Sequence, residues 1–142
     1  MTQGNPMTNS LHFKTPAITK LGRPFWEAAR NGKLAMQCCE DCGKYIFYPS
    51  VVCEQCLSDK LTWRNLSGLG TLESFSTVYR AFSDEFAPDV PCTVALVRLQ
   101  EGVLLLSWLD GVAPDMAEIG MQLAVGFERI SDEIYLHRFH PV

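Results

Sequence analysis

Cys39-Glu40-Asp41-Cys42-Gly43, followed after ten residues by Cys53-Glu54-Gln55-Cys56, decides how the rest of this 142-residue chain is read. A gap of two residues lets a pair of thiolates converge on one ion, and two such pairs complete the tetrahedron that zinc takes in closed, structural sites. Gly43 stands directly after the first pair, where a tight knuckle needs backbone freedom that a side chain restricts. The reading is a four-thiolate metal site made by Cys39, Cys42, Cys53 and Cys56.

Other uses of the thiols fit less well. The first ten residues, polar and holding Pro6, carry no apolar signal core, so the expected compartment is the cytoplasm, where thiols stay reduced and available to metal. A thioredoxin-like redox pair needs a single motif inside a βαβ pattern, whereas two motifs stand here with no such pattern. Rubredoxin-type iron stays open beside zinc, because four thiolates at similar spacing also hold iron. Cys38 adjoins Cys39, yet only Cys39 keeps the two-residue gap to Cys42. Cys38 and Cys92 are therefore expected to be thiols outside the site, buried as small hydrophobes.

Composition bounds the remaining possibilities. A hydrophobic content of 47% supports a real core, and no run of residues approaches the roughly 18 apolar positions of a membrane span. The formal net charge of −4 is unevenly spread: residues 1–64 hold eight Lys or Arg against five Asp or Glu, and residues 65–142 hold four against eleven. An acidic second half is a poor surface for a phosphate backbone, which argues against nucleic-acid binding.

Along the chain, residues 1–22 read as a flexible N-terminal arm. Residues 23–67 read as a short helix followed by the ribbon, and residues 68–142 as a β-barrel. Arg23-Pro24-Phe25-Trp26-Glu27-Ala28-Ala29-Arg30 has proline at its start and Gly32 beyond its end, which predicts a helix of two turns. So short a helix is marginal alone, and its Phe25 and Trp26 must dock on the protein's own ribbon or barrel or on a partner. Short strands at 34–37 and 45–48 make a hairpin around the first knuckle, and 58–67 leads out of the ribbon to a hinge at Gly68 and Gly70. Five strands follow, at 71–82, 92–99, 103–109, 122–130 and 134–140. One helical turn at 115–119, capped by Gly120, falls between the third and fourth. Five strands with a helical insert in that place predict an OB-fold, so the fold class is mostly β, with a short helix and zinc ribbon ahead of a five-stranded barrel.

Taken in order, these parts resemble the bacterial and archaeal family that pairs a rubredoxin-like zinc ribbon with an OB-fold (domain of unknown function 35). The carriers are Pro24-Phe25-Trp26, Gly32-Lys33-Leu34 running into Cys39-x2-Cys42-Gly43, Phe47-Tyr48-Pro49, Cys53-x2-Cys56 and Gly68-x-Gly70. Two positions depart from it: Tyr48-Pro49 stands where many members have Pro-Pro, and Leu57 where many have glycine. Leu57 is thus expected either to loosen its knuckle or to sit in a costly turn conformation. The resemblance implies zinc at the four cysteines. It also implies a non-catalytic accessory subunit, part of a hetero-oligomer with a thiolase-fold or hydratase enzyme, that stabilises this partner and helps form its acyl-CoA site.

The residues themselves offer no catalytic constellation. His12, His137 and His140 are the only histidines; the last two share the final strand on opposite faces, each expected at the surface or at a barrel end. Cys92 has no base placed near it by spacing, and Asp84-Glu85 and Asp132-Glu133 fall in solvated loops. Binding has better candidates. Arg23, Arg30 and Lys33, with Lys44, supply positive charge for an acyl-CoA ligand, while Phe25, Trp26, Phe82 and Phe86 are aromatic anchors for a protein partner. A stand-alone acyl-CoA-binding protein and an OB-fold nucleic-acid binder are the rival readings.

Overall fold

Alternation of inward apolar and outward polar residues closes five strands into a barrel in the computed structural model, which describes residues 15–81, 84 and 90–142. Helix α1 (Arg23–Arg30) comes first, then the ribbon strands β1 (Ala35–Cys39), β2 (Tyr45–Ile46) and β3 (Leu61–Asn65). The barrel strands are β4 (Leu69–Val78), β5 (Cys92–Leu99), β6 (Leu104–Leu109), β7 (Gln122–Arg129) and β8 (Tyr135–Pro141). Their closed order is β4-β5-β6-β8-β7, with β8 parallel to β6 and every other pair antiparallel. This is the OB arrangement, in which the long first strand pairs with neighbours on both sides. A β-bulge between Leu72 and Ser74 coils β4 enough to reach β5 on one side and β7 on the other.

The inward set is Thr93, Ala95, Val97 and Leu99 from β5, Leu105, Ser107 and Leu109 from β6, with Leu72, Leu123 and Phe139 from the others. The barrel wall is least complete between β6 and β8, which pair only at Trp108 with Arg138 and Leu109 with Phe139. No helix of the described residues is long and apolar enough to cross a membrane.

Three sequence expectations are corrected. The segment 58–67 does not simply lead away from the ribbon: Leu61-Thr62-Trp63-Arg64 alternates apolar and polar side chains and forms β3, which pairs with β1 along its whole length. The ribbon sheet therefore has three strands, ordered β2-β1-β3, and β2 is only two residues long. The helical turn expected at 115–119 is a 3₁₀ turn at Pro114–Met116, and Ala117 is already extended. Gly120, at φ +93°, gives its N–H to the Leu72 carbonyl, so it ties the connection to the β4 bulge instead of capping a helix.

Gly68 and Gly70 are points of close approach, not a hinge. A Cβ at Gly68 would lie 2.6 Å from Val125 Cγ1, and one at Gly70 would lie 2.6 Å from the Arg98 carbonyl oxygen. Strand β4 leaves the ribbon only by passing directly over its neighbours, and the core runs across that point. Phe25 of α1, Leu34 and Met36 at the ribbon's base and Leu66 bury with Leu72, Val97, Leu105 and Phe139 in one cluster. The helix buries Phe25 and Ala29 on one face against β1, β7 and β8, which answers what its apolar face docks on.

Candidate functional site

Each cysteine pair sits on the same backbone device. In the first knuckle Cys39 N–H donates to the Lys44 carbonyl at 2.9 Å and Gly43 N–H to the Cys39 carbonyl at 2.8 Å; in the second, Cys53 N–H donates to Ser58 at 2.7 Å and Leu57 N–H to Cys53 at 2.8 Å. The equivalent residues Gly43 and Leu57 both have positive φ, +77° and +63°. The costly turn expected at Leu57 is present, and it is the only described non-glycine residue in that region.

The two knuckles bring four sulfurs together. All lie within 4.8 Å of one another, with Cys39 Sγ 3.5 Å from Cys56 Sγ and Cys42 Sγ 3.6 Å from Cys53 Sγ. These separations are far from the roughly 2.05 Å of a disulfide and close to the ~3.8 Å edge of a tetrahedron with 2.3 Å metal–sulfur bonds. Cys39 and Cys53 are buried and Cys42 and Cys56 exposed, so the site lies just under the ribbon tip.

Electrostatics fit a cation. The Cys56 and Gln55 N–H groups hold the Cys53 thiol down to about 7 in spite of its burial. N–H groups of Cys42 and Asp41 likewise lower Cys39. At Cys56 the Ser58 N–H pulls downward, but the Cys39 sulfur, burial and the remaining cysteines win and push it up to about 12. Four thiolates this close repel one another, and a divalent ion is what removes the conflict. With every corner of the tetrahedron filled by sulfur, the arrangement is a closed metal site with no position for substrate.

Several residues that frame the site carry no motif. The buried Gln37 of β1 clamps the 47–52 loop by donating to the Ser50 carbonyl at 2.9 Å and accepting from Ser50 N–H at 2.7 Å. Lys44 and Glu54 join the two knuckles at 3.2 Å. Cys38 is buried with its sulfur turned toward the Gly43 and Cys39 carbonyls, outside the four-sulfur group, and Cys92 opens β5 half-buried.

A second feature lies where α1, the ribbon and β8 meet. The rings of Phe25, Phe47 and His137 stand edge to face in a triangle, each centroid 6.2 Å from the next, and Trp26 packs at 5.0 Å on Phe25. They floor a cavity of about 290 Å³ whose exposed mouth is formed by Thr19, Leu21 and Tyr48. His137 is thus a barrel-end histidine under cover, and His140, three residues on, is exposed. Burial pushes the His137 imidazole down to about 4.

Of the cationic candidates, Arg23 and Arg30 share a small cleft beside Trp26 with Glu27 and Glu133, where Arg23 approaches Glu133 at 4.0 Å. The carboxylates balance the charge and the volume is only about 60 Å³, so a phosphate gains little there. Lys33 is exposed beyond the helix end, and Lys44 is engaged by Glu54. Phe25 and Trp26 are brought together, but Phe25 is core and not surface. The anchors Phe82 and Phe86 and the histidine His12 lie outside the described residues.

Comparison with known proteins places this geometry. Residues 26–62 match the family model of the ChsH2 rubredoxin-like zinc ribbon domain, and residues 63–128 that of the ChsH2 C-terminal OB-fold domain. A probable enoyl-CoA hydratase alpha subunit of Thermomonospora curvata is 32% identical over 89% of this chain; the match spans 39% of that protein's own length. A DUF35 domain-containing scaffold protein of Methanothermobacter thermautotrophicus is 32% identical over 67% of this chain and 71% of its own. Among solved structures, a chain of the Ltp2-ChsH2(DUF35) aldolase superposes with TM-score 0.78 at 32% identity, covering 89% of this chain and 98% of that one. A DUF35 protein from Sulfolobus solfataricus shares the fold, with TM-score 0.58 at 16% identity over 87% and 86% of the two chains. Two knuckles closing on one four-sulfur group, a ribbon fused to a five-stranded barrel and these matches together make the chain a member of the DUF35 family of zinc-ribbon and OB-fold proteins.

Proposed function

We propose that this chain is a non-catalytic accessory subunit of an acyl-CoA enzyme of the thiolase or hydratase kind, acting in the cytoplasm as part of a hetero-oligomer. The observation that supports it most is the closed four-cysteine site, in which all four corners are thiolates and none is left for substrate. Ser107 Oγ and His137 Nδ1, 2.7 Å apart, line a cleft of about 180 Å³ with Val94, Leu106, Trp108 and Leu136, but the serine is buried and no carboxylate among the described residues orients the imidazole. Relatives described as a hydratase subunit, scaffold proteins and a component of an aldolase supply the partner class.

Zinc is the metal proposed for Cys39, Cys42, Cys53 and Cys56, holding the ribbon in shape. Metal analysis with a visible spectrum separates it from iron, whose thiolate complexes are coloured. The subunit role is tested by co-expression with a thiolase-fold or hydratase enzyme from the same genome, followed by size exclusion. Co-elution with improved solubility or activity of the enzyme is the expected result. A monomer that leaves the enzyme unchanged overturns the reading.

A further inference from the structure

Strand β6 is apolar on both of its faces. Leu105 and Leu109 point into the barrel with Ser107, while Leu104, Leu106 and Trp108 point outward, Leu106 being 57% and Leu104 38% exposed. Such strands are ordinarily covered on both sides, whereas an antiparallel strand with one face in water alternates apolar with polar. The register sets Leu106 beside Leu96 and Trp108 beside Val94 on β5, and Leu136 of β8 joins them.

Two further features mark the same place. Asp110 N–H crosses to the Phe139 carbonyl of β8 at 2.7 Å. N–H directions alternate along a strand, so Trp108, Leu106 and Leu104 send theirs to that side too. The ladder with β8 reaches back only to Trp108. Among the described residues no strand therefore pairs with the N–H and C=O groups of Leu106 and Leu104, which form a short open edge. Beside it lies the cleft of about 180 Å³ lined by Leu106, Trp108, Val94 and Leu136 together with Ser107 and His137. At roughly 30 Å³ per non-hydrogen atom it takes about six atoms, the size of a leucine or phenylalanine side chain.

The surroundings choose the occupant. Arg98 is held by Glu73 at 3.0 Å, and Arg138 by Asp110 at 2.8 Å and Glu128 at 3.1 Å, so the rim offers no unbalanced cation to a phosphate or carboxylate. Three strands about 4.8 Å apart, with outward side chains every ~6.7 Å, make a face of roughly 14 by 20 Å, or about 300 Å². A stable interface takes about 800 Å² from each partner, so a second copy of this chain resting on the face alone falls short. One added strand fills it, with its backbone on the open edge and one side chain in the cleft.

We infer that the open edge of β6 and the adjoining cleft receive an extended, uncharged segment of the enzyme partner, which pairs with Leu104 and Leu106 and places one large apolar side chain against Trp108 and Leu136. The inference rests on the accessory-subunit reading for the partner's identity and on β6 for the place. The remaining area of a stable complex then comes from other surfaces of the chain.

The test follows amide exchange in the full chain with its metal, alone and in the co-expressed complex with a thiolase-fold or hydratase enzyme. In the free chain the Leu105 and Ser107 amides, which face β5, should be protected, and those of Leu104 and Leu106 should exchange fast. In the complex the latter two should slow at least tenfold. Leu106→Arg puts a charge at an exposed position and should weaken the complex at least tenfold. Leu106→Pro removes one N–H from the open side, leaves the β5 ladder alone and should weaken the complex about fivefold. Fast exchange at Leu104 and Leu106 in a complex that still co-elutes, or full affinity in Leu106→Arg, rejects the edge and leaves the subunit role standing. Absence of any complex with the native chain rejects both. Slow exchange at Leu106 in the dilute free chain overturns the open edge. Protection that rises with concentration of the free chain, with a dimer in sedimentation, gives the edge to a second copy and overturns the enzyme as its occupant. Exchange is read on the native sequence, so the outcome stands even should Pro at 106 prevent folding.

Discussion

The ribbon tip and the barrel are stabilised by different means. Inside the barrel, Leu72, Val97, Leu99, Leu105, Leu123 and Phe139 are almost wholly buried and pack on one another, which is ordinary hydrophobic stabilisation. At the ribbon tip the buried cluster is Cys39, Ile46 and Cys53, with Leu61 beside it. Two of those three buried residues are proposed metal ligands, so metal coordination must do there what apolar burial does in the barrel. The contrast predicts that in one chain of 142 residues the tip needs metal to fold and the body does not, although the two are joined through a shared core at Phe25, Leu34, Met36 and Leu66.

The sharpest way to break the comparison is to remove the metal. Structural zinc in small modules carries apparent binding free energies of about 10–16 kcal/mol near neutral pH, the largest effect expected anywhere in this protein. A strong chelator, or Cys53→Ser, should abolish amide-exchange protection in β1 to β3 and leave protection in β5, β6 and β7. Loss of protection throughout the barrel would mean that the shared core makes one cooperative unit of the two regions. The reverse experiment is Phe139→Ala, at a fully buried ring in the barrel. It should cost about 3–5 kcal/mol in denaturant unfolding followed by Trp108 fluorescence, with metal stoichiometry unchanged.

The difference between the two regions also explains what could be read from the sequence. Metal ligation leaves a spacing signature, so Cys39, Cys42, Cys53 and Cys56 were legible at once, and the barrel strands were legible because buried β residues alternate, as β5 does from Thr93 to Leu99. Strand β3 was missed although Leu61 and Trp63 alternate with Thr62 and Arg64, since it stands in what looked like a connecting segment. The Gln37 clamp on Ser50, the Ser107 bond to His137 and the aromatic triangle are contacts between residues 13, 30 and more positions apart. No local pattern announces them. For the same reason the sequence does not show that Glu133, from the far end of the chain, lines the cleft that holds Arg23 and Arg30 and lies 4.0 Å from Arg23.

A smaller effect tests the joint between the regions. His137 is covered by Phe25 of α1, Phe47 of the ribbon and Ser107 of β6, none of which titrates, and burial is the main cause of its shift to about 4; its own backbone carbonyl offsets a part. The ordinary histidine value is about 6.5, so the unfolded chain takes up a proton that the folded chain refuses. Stability is therefore full above about pH 6.5 and declines as pH falls toward 4, by about 3 kcal/mol in all. Urea unfolding at several pH values should show this slope in the native protein. In His137→Phe the slope between pH 6.5 and 5 should flatten, which ties it to the joint and not to the carboxylates, whose titration lies lower, or to the cysteines, which the variant leaves in place.

The smallest expected effect lies within the ribbon, where the two knuckles differ at one position. Gly43 and Leu57 perform the same turn at φ +77° and +63°, and Leu57 is 74% exposed, so its side chain gains little from packing in the chain itself. A left-handed conformation costs a side-chain-bearing residue roughly 1–2 kcal/mol, and glycine returns part of that through its greater freedom in the unfolded chain. Leu57→Gly should then tighten the second knuckle by about 0.5–1 kcal/mol, seen as a few-fold slower loss of metal to a competing chelator. Gly43→Leu should loosen the first knuckle by a similar amount, making the two knuckles alike in the opposite sense. No gain on Leu57→Gly would mean that the exposed leucine is held by contacts beyond this chain. In the proposed assembly Tyr48, Val51 and Leu57, all exposed around the same loop and knuckle, would then be the side chains to vary next, with co-elution as the readout.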